Sequence, residues 1–170
     1  MLDIGCGNRP RGDVNCDMYL DETPHIMIKH RIDAKKMTNF VLCDAMHLPF
    51  RDKSFDIVNA SQVLEHVINP ASLLSEMRRI SRETVTIDVP NLRRLTIEEN
   101  LHHIYSWSYF TLRNLLALFF SDIVILPSEY QGYLPQSLFD KKIVGPPFRL
   151  LESSLEILFG APFLRAICKI

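Results

Sequence analysis

Leu2-Asp3-Ile4-Gly5-Cys6-Gly7 carries an apolar run into two glycines separated by one residue. Met1 to Ile4 reads as a short buried strand, and Gly5-Cys6-Gly7 ends it. Glycine lacks a Cβ, so the backbone turns sharply there and a ligand can come close to the amides. In an open α/β sheet, ligands bind beyond the carboxyl ends of the strands, where such a loop lies. Gly-x-Gly alone is a weak signal. The dinucleotide fingerprint needs a third glycine three residues on, and Pro10 stands there. No Lys-Ser/Thr pair follows, so a phosphate-cradling loop is excluded. Asp3, just ahead of the glycines, disfavours a pyrophosphate and suits a cationic ligand.

Outward from this loop, strand-like and helix-like segments alternate. Val14 to Met18 reads as a second strand, Asn39 to Cys43 as a third stopped by Asp44, and Ser54 to Ala60 as a fourth. Leu48 to Lys53 is a turn. Residues 21 to 38 are ambiguous, with a short helix expected near Asp33 to Met37. Asn69-Pro70 starts a helix, because Asn caps and Pro fits a first turn that needs no amide donor. Leu73, Leu74, Met77 and Ile80 form its buried stripe. Glu83 to Val89 is a fifth strand closed by Pro90, and Ser108 to Phe120 is an amphipathic helix. Ile123 to Leu126 is a sixth strand, and Phe163 to Ile170 a last one. The alternation indicates an α/β protein built on a mostly parallel sheet.

Between the last two strands lies an unusual stretch, Pro127 to Pro162. Its first half is loop-like, with Gly132, Pro135, Gly145, Pro146 and Pro147. Its second half, Phe148 to Phe159, reads as a strongly apolar helix. It is a lid, a homodimer contact, a surface for a greasy substrate, or a helix covering a sheet face; the last is preferred. The chain is expected to form one domain over 1–170, with 127–162 as an inserted loop–helix segment.

The formal net charge is −1, which argues against broad binding to nucleic acid, since that needs a basic face. Arg78, Arg79 and Arg82 read as a solvated helix face, and Arg93 and Arg94 as a charged loop. The longest fully apolar run, Leu115 to Phe120, is far below the ~20 residues that span a bilayer. No signal peptide is expected ahead of the first strand. Cys6, Cys16, Cys43 and Cys168 are scattered without a Cys-x-x-Cys pair, so neither a metal site nor a disulfide framework is expected. A reducing, cytoplasmic location follows.

Four stretches in order resemble class I S-adenosylmethionine-dependent methyltransferases, in particular their small-molecule group. Leu2 to Gly7 resembles the first motif. Val41-Leu42-Cys43-Asp44-Ala45-Met46-His47-Leu48-Pro49-Phe50 resembles the third-strand motif that holds adenine. Ser54-Phe55-Asp56-Ile57-Val58 resembles the fourth strand, and Val63-Leu64-Glu65-His66-Val67 the segment after it. The resemblance runs from residue 2 to about residue 90. It implies a Rossmann-like open sheet of seven strands, mostly parallel, with helices on both faces and the last strand antiparallel.

It also implies roles. Asp3 would orient the methionine end, either directly at the ammonium or through water, with the amides near Gly5, Cys6 and Gly7 approaching it. Asp17, next to Met18, would accept from the ribose hydroxyls, where an ionised acceptor strengthens the bonds. Asp44 would accept from the adenine amino group. The Ala45 or Met46 amide would donate to a ring nitrogen, and Met46 would pack on the ring. Ser61 and Gln62 would line the floor beneath the sulfonium, and His66 would help shape the pocket. Each has a plainer alternative: Asp17 as a turn residue, Asp44 as a strand end, Met46 as core filler, Ser61 as a helix cap.

Two features depart from the family. Nine residues separate Gly7 from Asp17, too few for the usual helix, so Asn8 to Asp13 is expected to be a tight loop. The chain also starts at the first strand, without the usual leading helices. Methyl transfer mainly needs alignment of nucleophile and methyl in a dry site. A general base is required only if the acceptor must lose a proton. His66 and His103 are the candidates, followed by His102 and Glu65; Leu64 to His66 reads equally as a structural corner. His103, Tyr105 and Trp107 form either an aromatic wall or the cap of the helix that follows. No Asn/Asp-Pro-Pro-aromatic motif follows the fourth strand, which favours a small-molecule or lipid- or sugar-linked acceptor over nucleic acid. One rival reading is a catalytically silent cofactor-binding subunit of a hetero-complex. The other, a nucleotide-dependent oxidoreductase, is opposed by Asp3 and the missing glycine.

Overall fold

The computed structural model describes residues 1–20, 37, 39–92, 103–128 and 163–170. Strand β1 (Leu2–Ile4) lies inside the sheet, all three residues buried. It pairs in parallel with β2 (Val14–Asp17) on one side and β4 (Phe55–Ser61) on the other. β3 (Phe40–Leu42) extends the sheet beyond β2, and β5 (Ser81–Pro90) beyond β4. β7 (Phe163–Lys169) enters antiparallel between β5 and β6 (Asp122–Ser128). The order is β3-β2-β1-β4-β5-β7-β6. The chain runs outward from β1 to β3, then returns to the far side of β1 as β4. That reversal makes the carboxyl ends of β1 and β4 the switch point, where such sheets open a ligand crevice.

β5 is buried almost throughout because it has a neighbour on each edge and apolar cover: Val85, Ile87 and Val89 are buried, as are Thr84, Thr86 and Asp88. Between β4 and β5 the chain forms helix α1 (Pro70–Ile80). Asn69 Oδ1 accepts from the Ser72 amide, Pro70 opens the first turn, and Leu73, Leu74, Met77 and Ile80 are buried. Arg79 is no free surface cation. It donates to Glu76, Asp52 and the carbonyls of Phe50 and Leu48, clamping the 48–52 turn to α1. Arg82 pairs with Asp56 at 2.8 Å.

Several strand ends differ from expectation by a single residue, and three boundaries have a physical reason or a larger shift. Helix α2 (Tyr109–Leu116), capped by a Ser108–Thr111 box, stops short of Phe120. The amides of Leu118 and Phe119 bond three residues back, to Leu115 and Leu116, which tightens the last turn. β5 begins at Ser81, before Glu83. β6 continues through Pro127 and Ser128, so these two residues, read as the start of a loop, belong to the strand. β6 is an edge strand, where a residue without an amide donor is tolerated. Asn8 to Asp13 contains turns and bends and no helix, as expected. Gly12 makes this short-cut possible. A Cβ there would sit 2.3 Å from the Val14 carbonyl oxygen and 2.8 Å from the Asp3 nitrogen. The helix expected near Asp33 to Met37, of which Met37 alone is described, and the segment from 129 to 162, with the apolar helix expected at 148–159, lie outside the described residues. Among the described residues no helix is long and apolar enough to cross a membrane.

Candidate functional site

The glycine turn is built by what it must avoid and what it must bind. Gly5 has φ +64 and Gly7 φ +53, a region that side chains with a Cβ rarely adopt. At Gly5 the space is also taken: a Cβ would lie 2.3 Å from Val63 Cγ2. This contact sets the segment after β4 directly against the glycine turn. The Gly7 amide donates to Asp17 Oδ2 at 2.9 Å, and the Cys6 amide donates to the Cys16 carbonyl. Cys6 itself is buried, and burial pushes its thiol up to about 12, so it packs as a small apolar residue.

Asp3 lies deeper than a ligand-contacting carboxylate was expected to lie. It is 3% exposed, and both oxygens are engaged: Oδ1 accepts from Asn59 Nδ2 at 2.7 Å and Oδ2 from the Arg11 amide at 3.0 Å. Thr86 Oγ1 in turn donates to Asn59 Oδ1 at 2.8 Å. Asp3, Asn59 and Thr86 are register partners on β1, β4 and β5, so the polar chain crosses three strands. Burial raises the Asp3 carboxyl, opposed by these hydrogen bonds.

Asp17 ends β2, joining the turn through Gly7 and the next strand through its carbonyl, which accepts from the Cys43 amide at 2.9 Å. Met18 beside it is exposed. Asp44 folds back on its own turn: Oδ1 accepts from the Met46 amide at 2.8 Å, and Oδ2 meets His47 Nδ1 at 3.2 Å. Of the two amides considered for a ring nitrogen, Met46's is therefore already occupied. Ala45 and Met46 are half-buried beside Asp44. Ser61 closes β4 instead of following it, and its hydroxyl bonds Asp88. Gln62 takes φ +58, its amide donates to the Asp88 carbonyl, and its buried Nε2 has no partner among the described residues.

The two base candidates meet. His66 and His103 rings pack edge to face with centroids 4.7 Å apart. The Glu65 carbonyl accepts from the amides of Ile104 and Tyr105, and Tyr105 Oη donates to the Ile68 carbonyl. These bonds bind the 103–107 segment to the corner after β4. Tyr105 stacks on the buried Trp107, so Trp107 packs beneath the segment. His102 lies outside the described residues.

One functional-looking group was missed, the Asp88–Arg165 pair, while Glu65, named only as a further base candidate, stands out by its burial. Glu65 is fully buried, its carboxyl pushed up to about 8 by loss of water. Asp88 on β5 and Arg165 on β7 form a buried bidentate pair at the end of the sheet. Their signal was a lone charge inside each apolar strand, Ile87-Asp88-Val89 and Leu164-Arg165-Ala166.

A mixed sheet in this order, with a glycine turn at its switch point, defines an α/β cofactor-binding fold. A methyltransferase-domain family model matches residues 2–86. The chain belongs to this family, the class I S-adenosylmethionine-dependent methyltransferases. An uncharacterised protein of Methanocaldococcus jannaschii is 28% identical over 142 residues, covering 77% of this chain and 61% of its own length. A demethylmenaquinone methyltransferase of Roseiflexus sp. is 32% identical over 113 residues, covering 66% and 44%. The chain thus spans between two-fifths and two-thirds of these relatives. The crystal structure of a SAM-dependent methyltransferase from Archaeoglobus fulgidus superposes with a TM-score of 0.61 at 22% identity, covering 99% of this chain and 85% of that one.

Proposed function

We propose that this chain holds S-adenosylmethionine at the carboxyl ends of β1 to β4 and transfers its methyl group to a small-molecule or lipid- or sugar-linked acceptor. The observation that carries this reading is the convergence of the Gly5–Gly7 turn, Asp17 and the Asp44 turn on one sheet edge, joined by the Gly7 and Cys43 amides. Asp17 and Asp44 are partly exposed carboxylates, which suit a ligand that carries donors and positive charge, and the buried Gln62 Nε2, a donor without a partner among the described residues, suits an acceptor group on the same ligand.

The bound cofactor supplies a methyl already activated by its sulfonium. The chain's own work is binding and orientation. Asp17 accepts from the ribose hydroxyls and Asp44 from the adenine amine. The Ala45 amide donates to the ring nitrogen, and Met46 packs on the ring. Ser61 and Gln62 floor the methyl end. Asp3 acts indirectly, by fixing Arg11 and Asn59 around the glycine turn. Where the acceptor must lose a proton, His66 or His103 takes it. The demethylmenaquinone methyltransferase among the relatives puts quinone acceptors first in a substrate screen.

Calorimetric titration with S-adenosylhomocysteine tests the reading. Micromolar binding is expected, about −8 kcal/mol, weakened about tenfold in Asp44→Ala, the loss of one charge-assisted bond of about 1.5 kcal/mol. Absence of binding to the wild-type chain overturns the proposal.

A further inference from the structure

Glu65 is 0% exposed, and neither carboxyl oxygen has a hydrogen-bond partner among the described residues. An unpartnered buried carboxylate is costly, and proteins retain one where it pairs with a cation or coordinates a metal. Its backbone is held by the Ile104 and Tyr105 amides, so its inward position is built in. Beside it stand two imidazoles. One ligating atom from each of Glu65, His66 and His103 lies within 4.8 Å of the other two.

We propose that Glu65, His66 and His103 form a binding site for one divalent transition-metal cation. Two imidazoles and a carboxylate are a donor set for Zn²⁺, Mn²⁺ or Fe²⁺. Metal–ligand bonds of about 2.0–2.2 Å place ligand atoms about 3 Å apart. The three groups therefore close slightly on binding, which the exposed His66 side chain can do by rotating. Three protein ligands leave positions open. The edge of the site is reachable, since His66 is exposed and His103 half-buried. Val63, two residues earlier, touches the glycine turn, so the site lies on the segment that borders the proposed cofactor loop, where a cation would serve to bind an oxygen of the acceptor. That use rests on the methyl-transfer reading and takes the place of a histidine base, since an imidazole that ligates a cation has no lone pair left to accept a proton; cation binding rests on neither.

The test uses the full chain, stripped with chelator and titrated with Mn²⁺ followed by electron paramagnetic resonance. Mn²⁺ avoids the thiols, which prefer softer ions. One Mn²⁺ per chain is expected. Affinity should fall at least tenfold in His66→Ala, in His103→Ala and in the isosteric Glu65→Gln, at or beyond the loss that a second-shell partner alone causes. Mn²⁺ should raise the melting temperature of the wild type and not of Glu65→Gln, whose unfolding transition shows that it is folded. No binding at concentrations on the order of 1 mM overturns the proposal, as does binding equal in all four proteins. S-adenosylhomocysteine is titrated into the same metal-free sample, so failure of the cofactor reading and failure of the cation site are seen separately.

Discussion

Gly5 concentrates two constraints in one residue. Its φ of +64 lies in the left-handed region, and the place of a Cβ is filled by Val63. Replacing it with alanine costs the left-handed strain, about 1–2 kcal/mol, and an overpacking cost of about 1–3 kcal/mol. Gly5→Ala should therefore lose about 2–5 kcal/mol in urea denaturation, the sum of those two. Gly5→Ala with Val63→Ala should recover the packing part and keep the strain. A single variant within about 0.5 kcal/mol of wild type, the range of an unconstrained surface change, would refute the account. Gly5 and Gly7 were legible because their spacing after an apolar strand is informative. Gly12 was not, because its constraint comes from the Val14 and Met1 carbonyls that the short loop brings close. Asp3 was found in sequence, but its engagement inside the protein was not. Its partner Asn59 lies 56 residues away, and only strand pairing reveals that the carboxylate is already engaged.

At the scale of elements, α1 is tied to the turn before β4 by charge as well as by its apolar stripe. Glu76 Oε2 accepts from the Leu48 amide at 2.8 Å, and Arg79 holds Glu76, Asp52 and two carbonyls. Arg79 holds the Glu76 carboxyl below its ordinary value of 4.5. A carboxyl lowered in the folded state adds stability above its unfolded value, and that share is lost as pH falls through the folded one. Wild-type urea midpoints should therefore drop between about pH 5 and about pH 3 more steeply than those of Glu76→Gln, whose side chain does not titrate. Parallel pH profiles would show that Glu76 contributes nothing to the acid limb. Strand and helix identities were readable from apolar spacing and from Asn69-Pro70 and Ser108, which are local signals. The ends of α2 and β6 were not, because a tightened turn and an edge position decide them. The corner at Glu65 was read as either structure or chemistry; only folding sets His103 against His66.

Across the whole molecule, the sheet closes through residues far apart in sequence. Asp88 and Arg165 lie 77 positions apart and bond twice, joining the final strand to β5. Both are buried, at 3% and 7% exposure. Removing one partner leaves a buried charge uncompensated, at a cost of about 3–5 kcal/mol. Arg165→Met should therefore lower the stability of the folded sheet by about that amount. Asp88→Leu combined with Arg165→Met should regain most of it, because a well-packed apolar pair can replace a buried ion pair at little or no loss. The fluorescence of Trp107, the single tryptophan, and far-ultraviolet circular dichroism should report coincident transitions in all three proteins, since β7 sits between β5 and β6 and its loosening opens the sheet cooperatively. A double variant as unstable as Arg165→Met would show that the arginine's role lies in contacts other than Asp88. Separated transitions in Arg165→Met would show that β6 and β7 unfold apart from the five parallel strands.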